Sequence, residues 1–371
     1  MKPFEPQLLP LGDIEWKPLI PLIGKANRAL AHYDGVLLGV PNHEVLLSPL
    51  TTEEAVLSSR MEGTQATMGE VYRFEAGDAP EKQSRREDIW EILNYRRALK
   101  RAESELKTRP FNLNLLLQLH SILLDSVRGQ NKARGRFRVE QNWIGAEGTP
   151  IEQAEFVPPP AGSLPGLLDN WEKYYHSEES DALVQLAIVH AQFEILHPFL
   201  DGNGRLGRIL VPLFLHEKKI LHRPMFYLSA WLEARRDSYI GLLRPLGKSP
   251  GSWNRWIEFF LTGLEEQARI NSEKARNILE LYDRVITRVL ALTHSQYAVP
   301  LVDQMFERPV FESRHLKFPE HPASRGAVAT LLRILKNAKI LKVLRKGSGR
   351  RPTSYAFAEL INLCEGKAVV D

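Results

Sequence analysis

The segment Asp181 to Leu196 constrains this chain more than any other. Leu183, Leu186, Val189, Phe193 and Leu196 leave it apolar nearly all round. A helix of that kind has no face for water, so other elements must surround it. Pro198 disfavours helical geometry at His197, so the buried helix should end there. The rest of the chain supplies helical partners. Helical patterning runs from Lys25 to Lys107, with Leu30, His32 and Tyr33 in one segment. Thr51-Thr52-Glu53-Glu54 reads as a helix start, a cap followed by acids, continuing through Ala55, Val56 and Met61. Glu87 to Leu106 is a long charge-paired helix, and Asn112 to Val127 carries Leu115, Leu116, Leu119, Ile122 and Leu123 at helical spacing. Further helices are expected over Leu164 to Tyr175, Leu206 to Lys219, Ala230 to Leu243, Trp253 to Leu264 and Asn271 to Leu292. The expected fold class is mainly α.

Two stretches break this texture. Arg136 to Gly145 alternates and carries aromatics, which predicts a strand; Gly145 to Pro150 supplies turn residues, and Ala154 to Val157 a return strand before Pro158-Pro159-Pro160. A lone hairpin is marginal by itself, so it must lean on something or close over something. After Pro300 the pattern reads strand (Pro309 to Phe311), helix (Ser324 to Lys336), strand (Lys342 to Leu344), basic turn (Lys346 to Arg351) and strand (Ser354 to Phe357). Residues 1–24 are Pro-rich and should wrap the surface irregularly.

The 371 residues leave room for two or three domains. The single cysteine, Cys364, excludes an internal disulfide and a Cys-based zinc site, and points to a reducing, cytoplasmic setting. Lys2, Asp13, Glu15 and Lys17 interrupt the first apolar runs, so no signal peptide is expected, and no stretch approaches the ~18–20 apolar residues of a membrane span. The net charge is +4, yet residues 291–371 alone hold 13 Lys and Arg against 7 Asp and Glu. That asymmetry suggests a basic tail domain on a near-neutral body. It could meet nucleic-acid phosphates, or serve as a protein-interaction or dimer module.

The stretch richest in chemistry is His197-Pro198-Phe199-Leu200-Asp201-Gly202-Asn203-Gly204-Arg205-Leu206-Gly207-Arg208. Gly202 and Gly204 permit positive φ, so that successive backbone N–H groups can converge on an anion at the start of the next helix. Arg205 and Arg208 fall about 60° apart on that helix, giving two guanidiniums on one face. Pro212 lies near the same face and could kink the helix. His197 can act as a general base near neutral pH. Asp201 is a hard oxygen ligand suited to Mg²⁺ on phosphates, and Asn203 can donate its amide to a phosphoryl oxygen. Gly202 to Gly207 also spells G-x-G-x-x-G, but a dinucleotide fingerprint needs a preceding strand and here a helix precedes. Gly247-Lys248-Ser249 lacks the spacing and the strand of a phosphate-binding loop.

His197 to Arg208 fits HPFx(D/E)GNGRxxR without a departure, and on these residues the chain resembles the Fic (Fido) family. Leu19 to Gly69, with Arg60-Met61-Glu62-Gly63-Thr64-Gln65-Ala66-Thr67, is similar to the region that often precedes Fic cores, and Gln141-Asn142-Trp143-Ile144-Gly145 resembles their flap. The resemblance implies a helical core over 108–292 with a small β-hairpin flap, an N-terminal helical region over 1–107, and a protein adenylyltransferase that moves AMP from ATP to a Tyr, Thr or Ser hydroxyl of a protein, itself included. It implies that His197 deprotonates the hydroxyl and that Asp201 holds Mg²⁺. Gly202, Asn203, Gly204, Arg205, Leu206 and Gly207 would line the phosphates, and Arg208 would pair with the γ-phosphate. Ile144 and Gly145 would clamp the target by strand pairing. Tyr239 resembles a nucleoside contact, although many relatives carry a Tyr pair where this chain has Tyr239-Ile240.

Ser58-Ser59-Arg60-Met61-Glu62-Gly63 fits the family's inhibitory pattern (S/T)xxxE(G/N). Ser58 and Glu62 share one helix face, in a helix expected around 51–63. The resemblance implies that Glu62 pairs with Arg208 and takes space the γ-phosphate needs, and dimerisation could release it. Residues 293–371 resemble a winged-helix domain, with Ser324 to Lys336 as the recognition-type helix and Lys346 to Arg351 as the wing. One alternative is a DNA-binding regulator that uses the core to sense a nucleotide, against which the intact His197 argues, since sensing needs no base. Another is UMP, GMP or phosphocholine transfer, or AMP removal, on the same core.

Overall fold

A computed structural model describes residues 2–125, 132–145, 148, 150–319, 322–349 and 351–366. Ser126 and Val127 of one expected helix, Ala146, Glu147 and Thr149 of the flap turn, and Arg350 of the basic turn lie outside the described residues. The chain divides into two units. The first comprises Met1–Asp34, Leu57–Gly63 and Leu93–Ile270; the second comprises Gly35–Val56, Thr64–Ile92 and Asn271–Asp371. Among the described residues no helix is long and apolar enough to cross a membrane.

The first unit is helical and is organised around Ala182–Leu196, in which every residue except Ala182 and Glu194 is buried. Asp181 caps this helix, its carboxylate accepting from the amides of Leu183 (2.9 Å) and Val184 (3.1 Å). The Leu164–His176 and Asn203–Glu217 helices pack on it. Trp171 and Trp256 are buried against it and donate their indole N–H groups to the carbonyls of Val189 and Ala187. Those two bonds answer the polar end of an otherwise apolar side chain. Pro212 sits inside the Asn203–Glu217 helix and is buried.

In the second unit the strands Val310–Glu312, Lys342–Arg345 and Ser354–Ala356 form an antiparallel sheet with Ser354–Ala356 in the centre. The Met68–Glu75 helix packs on the first strand, and the Ala358–Glu365 helix on that helix. Thr67 and Glu70 close a capping box at the start of Met68–Glu75. Ser324 caps Arg325–Asn337 through the amide of Ala327 (3.1 Å).

Several expectations shift. Residues 16–24 are helical: Trp16–Leu38 takes Pro18 in its first turn, where the N–H has no helical partner to lose, and holds Pro21 in its interior. The Ser48–Met61 helix begins three residues before Thr51, since Pro49 suits a first turn. The segments expected over Trp253 to Leu264 and Asn271 to Leu292 are one helix, Ser252–Thr293; no Gly or Pro interrupts residues 264–271. The hairpin reduces to one isolated bridge, Ile144 with Phe156. Arg136 to Trp143 is not a strand, because its polar side chains are tied to other loops instead of a partner strand, and Ile151–Gln153 is a 3₁₀ turn.

Candidate active site

The buried helix ends on His197, whose φ of 44° and ψ of 59° are left-handed. That conformation costs an L-residue roughly 1–2 kcal/mol, so surrounding contacts must hold it. The amide of His197 still donates to Phe193 (3.1 Å). The following loop is clamped by Asn203, which accepts from the amide of Phe199 and donates to its carbonyl, both at 2.9 Å. The Asn203 amide expected to meet a phosphoryl oxygen thus spends its oxygen and one of its two N–H donors on the loop. His120 supports the loop from the other side. It accepts from the amide of Gly135 (2.8 Å) at Nδ1 and therefore donates from Nε2 to the carbonyl of Asp201 (3.1 Å), with its ring stacked on Phe199. Burial lowers its pKa to about 4, which keeps that tautomer neutral.

Gly202 has φ +81° and precedes the Asn203–Glu217 helix, so the first amides of that helix face the loop mouth. Arg205 and Arg208 rise from its first two turns and both are buried. Arg205 donates to Asp201 (3.2 Å), whose side chain is 39% exposed. Arg208 donates from Nε to the Ser58 hydroxyl (2.7 Å) and from Nη2 to the Ser58 carbonyl (2.9 Å) and the Glu62 carboxylate (2.6 Å). Glu62 Oε1 also lies so near the Gly204 Cα that a Cβ there would stand closer than 3.0 Å to it. The Glu62 carboxylate therefore occupies the anion position at the start of the helix. Burial works to raise its pKa, but the positive charge of Arg208 and Arg205 outweighs that and leaves it below the ordinary value. Burial alone would lower the pKa of Arg208, and Glu62 more than reverses that.

His197, Glu62, Gly204, Arg208, Tyr239, Ile144 and Gly145 line one cavity of about 850 Å³. Trp143 lines it too and is 43% exposed, so it is a rim residue and not a core anchor. Ser58, Asp201, Gly202, Asn203, Arg205, Leu206 and Gly207 do not line this cavity, and of them Asp201 has a partly exposed side chain. Burial lowers the pKa of His197 to about 4, so the imidazole is neutral and proton-accepting at pH 7. His190 is a packed, hydrogen-bonded residue, with Nδ1 3.0 Å from the Gly207 carbonyl and Nε2 3.0 Å from the Tyr239 hydroxyl. Glu194 joins this cluster and had no signal in the sequence. Its Oε1 fills the space a Gly207 Cβ would take, and burial, reinforced by Glu62, raises its pKa to about 7. Asp201 fits a Mg²⁺ site, being one partly exposed carboxylate beside a phosphate-sized anion position; Mg²⁺ usually keeps several waters and needs only one or two carboxylates.

Two family profiles match the chain: "Fic/DOC family N-terminal" over residues 20–104 and "Fic/DOC family" over residues 110–215. The second contains the whole loop and both arginines. This chain belongs to the Fic/DOC family. It is 27% identical over 207 residues to a probable protein adenylyltransferase of Aquifex aeolicus (strain VF5), a match covering 54% of this chain and 58% of that one. It is 32% identical over 132 residues to the protein adenylyltransferase Fic of Drosophila grimshawi, covering 34% of this chain and 24% of that one. The chain thus spans little more than half of the first relative and about a quarter of the second. Its fold resembles a Fic family protein from Desulfovibrio desulfuricans G20, with TM-score 0.58, 19% identity, and 95% and 98% of the two chains covered. It also resembles Fic-1 (residues 134–508) of C. elegans, with TM-score 0.53, 16% identity, and 71% and 75% covered.

Proposed function

We propose that this Fic/DOC chain is a protein adenylyltransferase that moves AMP from ATP to a Tyr, Thr or Ser hydroxyl of a protein, held down by Glu62. The observation that carries the reading is a carboxylate seated on an anion cradle next to a neutral imidazole. A phosphate is the other anion that suits Gly204, Arg205, Arg208 and the helix N-terminus. In the open state Arg208 would exchange Glu62 for the γ-phosphate, and Asp201 would hold Mg²⁺, which when bound neutralises charge on the phosphates. Tyr239 and the Ile144–Gly145 rim would flank the nucleoside and the target segment. His197 would take the proton as the hydroxyl oxygen attacks the α-phosphorus. The P–O bond to the β-phosphate would break and pyrophosphate would leave. The names carried by the Aquifex and Drosophila relatives support the same reaction class. The target could be a second copy of this chain, and a homodimer is one route to release of Glu62. The test is mass spectrometry of Glu62→Gly protein incubated with Mg²⁺ and each nucleoside triphosphate in turn. Addition of AMP from ATP, lost in the Glu62→Gly/His197→Ala protein, is the expected result; addition of another nucleotide, or none, overturns the ATP assignment.

A second reading concerns residues 293–371, for which we propose a winged-helix module that meets duplex DNA. The order of helix, strand, helix, strand, turn and strand favours it. So does the run from His321 to Ala358, which holds nine Lys and Arg and no Asp or Glu. A mobility shift of short duplex by the full chain, lost at high salt, is expected; no shift at low salt removes this reading.

A further inference from the structure

Arg138 is 2% exposed, and its neighbours are not carboxylates. Its guanidinium donates from Nε to the carbonyl of His197 (2.9 Å), from Nη1 to Glu140 (3.2 Å), and from Nη2 to Pro159 (2.5 Å) and Leu196 (3.4 Å). Its own amide donates to the carbonyl of Pro198 (2.9 Å). Leu196 and His197 end the buried helix, where carbonyls have no helical partner and the dipole favours a cation. Glu140 and Pro159 belong to the two arms on either side of the Ile144–Phe156 bridge. One fixed planar fork therefore ties both arms of the flap to the left-handed residue that carries the imidazole. Two further side chains repeat the pattern at lower multiplicity. Asn142 donates to the Phe199 carbonyl (3.0 Å) and Gln141 to the Pro158 carbonyl (3.0 Å).

Resting on the transferase reading above, we infer that Arg138 is a positioning residue that couples the flap to His197, so that a target strand on the flap and the base that deprotonates it are held in one register. It touches neither nucleotide nor target. Lysine keeps the charge but is a point donor, and cannot satisfy carbonyls spread over two arms and a helix end. A 1 Å misplacement of the base can cost ~10²-fold in rate.

The test uses the full chain carrying Glu62→Gly, with Arg138, Arg138→Lys or Arg138→Met, measuring AMP transfer, ATP binding by calorimetry, and amide exchange. The expected result is a fall in kcat of roughly 100-fold for Arg138→Met and a smaller fall for Arg138→Lys, with ATP affinity within about three-fold. Faster exchange is expected together at Ile144 and His197, while Val184 to Val189 stays protected. Unchanged kcat, or exchange that quickens on the flap but not at His197, overturns the coupling. If Arg138→Met does not fold, Arg138→Lys carries the same comparison. If Glu62→Gly protein with Arg138 intact transfers nothing, the transferase reading fails, and the exchange measurement still decides whether Arg138 couples the two segments.

Discussion

Replacing Glu62 by glycine removes the carboxylate from the Arg208 guanidinium and from above Gly204. The pair is close, at 2.6 Å, with Arg208 only 2% exposed, but the Glu62 side chain is 36% exposed. Two unit charges 4 Å apart attract by roughly 4 kcal/mol at an effective dielectric of 20; solvent screening of the exposed partner reduces that to about 2–3 kcal/mol, or roughly 30- to 150-fold in rate. That is the gain expected in AMP transfer if the γ-phosphate must compete with Glu62 for Arg208. The same substitution takes the carboxylate from a buried cation and leaves its two Ser58 bonds, so stability should drop by roughly 1–3 kcal/mol. The assay is transfer of labelled AMP from ATP at saturating nucleotide, beside a thermal melt. Glu62→Gln, which keeps the size and loses the charge, should fall between the two. A Glu62→Gly protein that binds ATP at least as tightly as the parent, yet transfers no faster, would refute the argument.

Three further outcomes follow from the same geometry. Gly207→Ala drives a Cβ into Glu194 and should cost roughly 1–3 kcal/mol in chemical denaturation; Glu194→Ala should relieve much of that, and strict additivity of the two would show that they do not meet. Burial sets the folded pKa of Glu194 at about 7, above its ordinary 4.5, so its stabilising contribution is complete below pH 4.5 and lost as pH rises through 7. Glu194→Gln should therefore raise the melting temperature relative to the parent more at pH 8 than at pH 5. The histidines behave oppositely. Burial lowers His120 and His197 to about 4 and His190 to about 3, so their contribution is present above the unfolded value of 6.5 and lost as pH falls through 4. Their ring protons should show no titration between pH 5 and 8 by NMR, and a midpoint near 6.5 for His197 would contradict its burial.

The loop from His197 to Arg208 was legible because its glycines, proline and arginines are each required by backbone geometry or charge. The pairing of Glu62 with Arg208 was expected from the resemblance that the His197 to Arg208 signature carries, and the two side chains meet. What could not be read was which partner a polar side chain takes once loops and helices have packed. The Arg138 segment alternates like a strand, yet three of the four carbonyls its side chain meets lie more than twenty residues away. The bonds of Asn203 to Phe199, four residues back, could not be read either, because they depend on the curl of the loop. Glu194 sits on a largely apolar helix, and the missing Cβ of Gly207 makes room for its carboxyl. The Ser252–Thr293 helix is continuous through 264–271, a stretch with no helix-breaking residue.

His197 caps the end of a helix buried along almost its whole length, so its main chain is fixed by the core while its side chain lines the cavity. On the proposed reading, control over such a residue would come from tenancy of the adjoining space, which a single acidic side chain would provide and a single substitution would vacate.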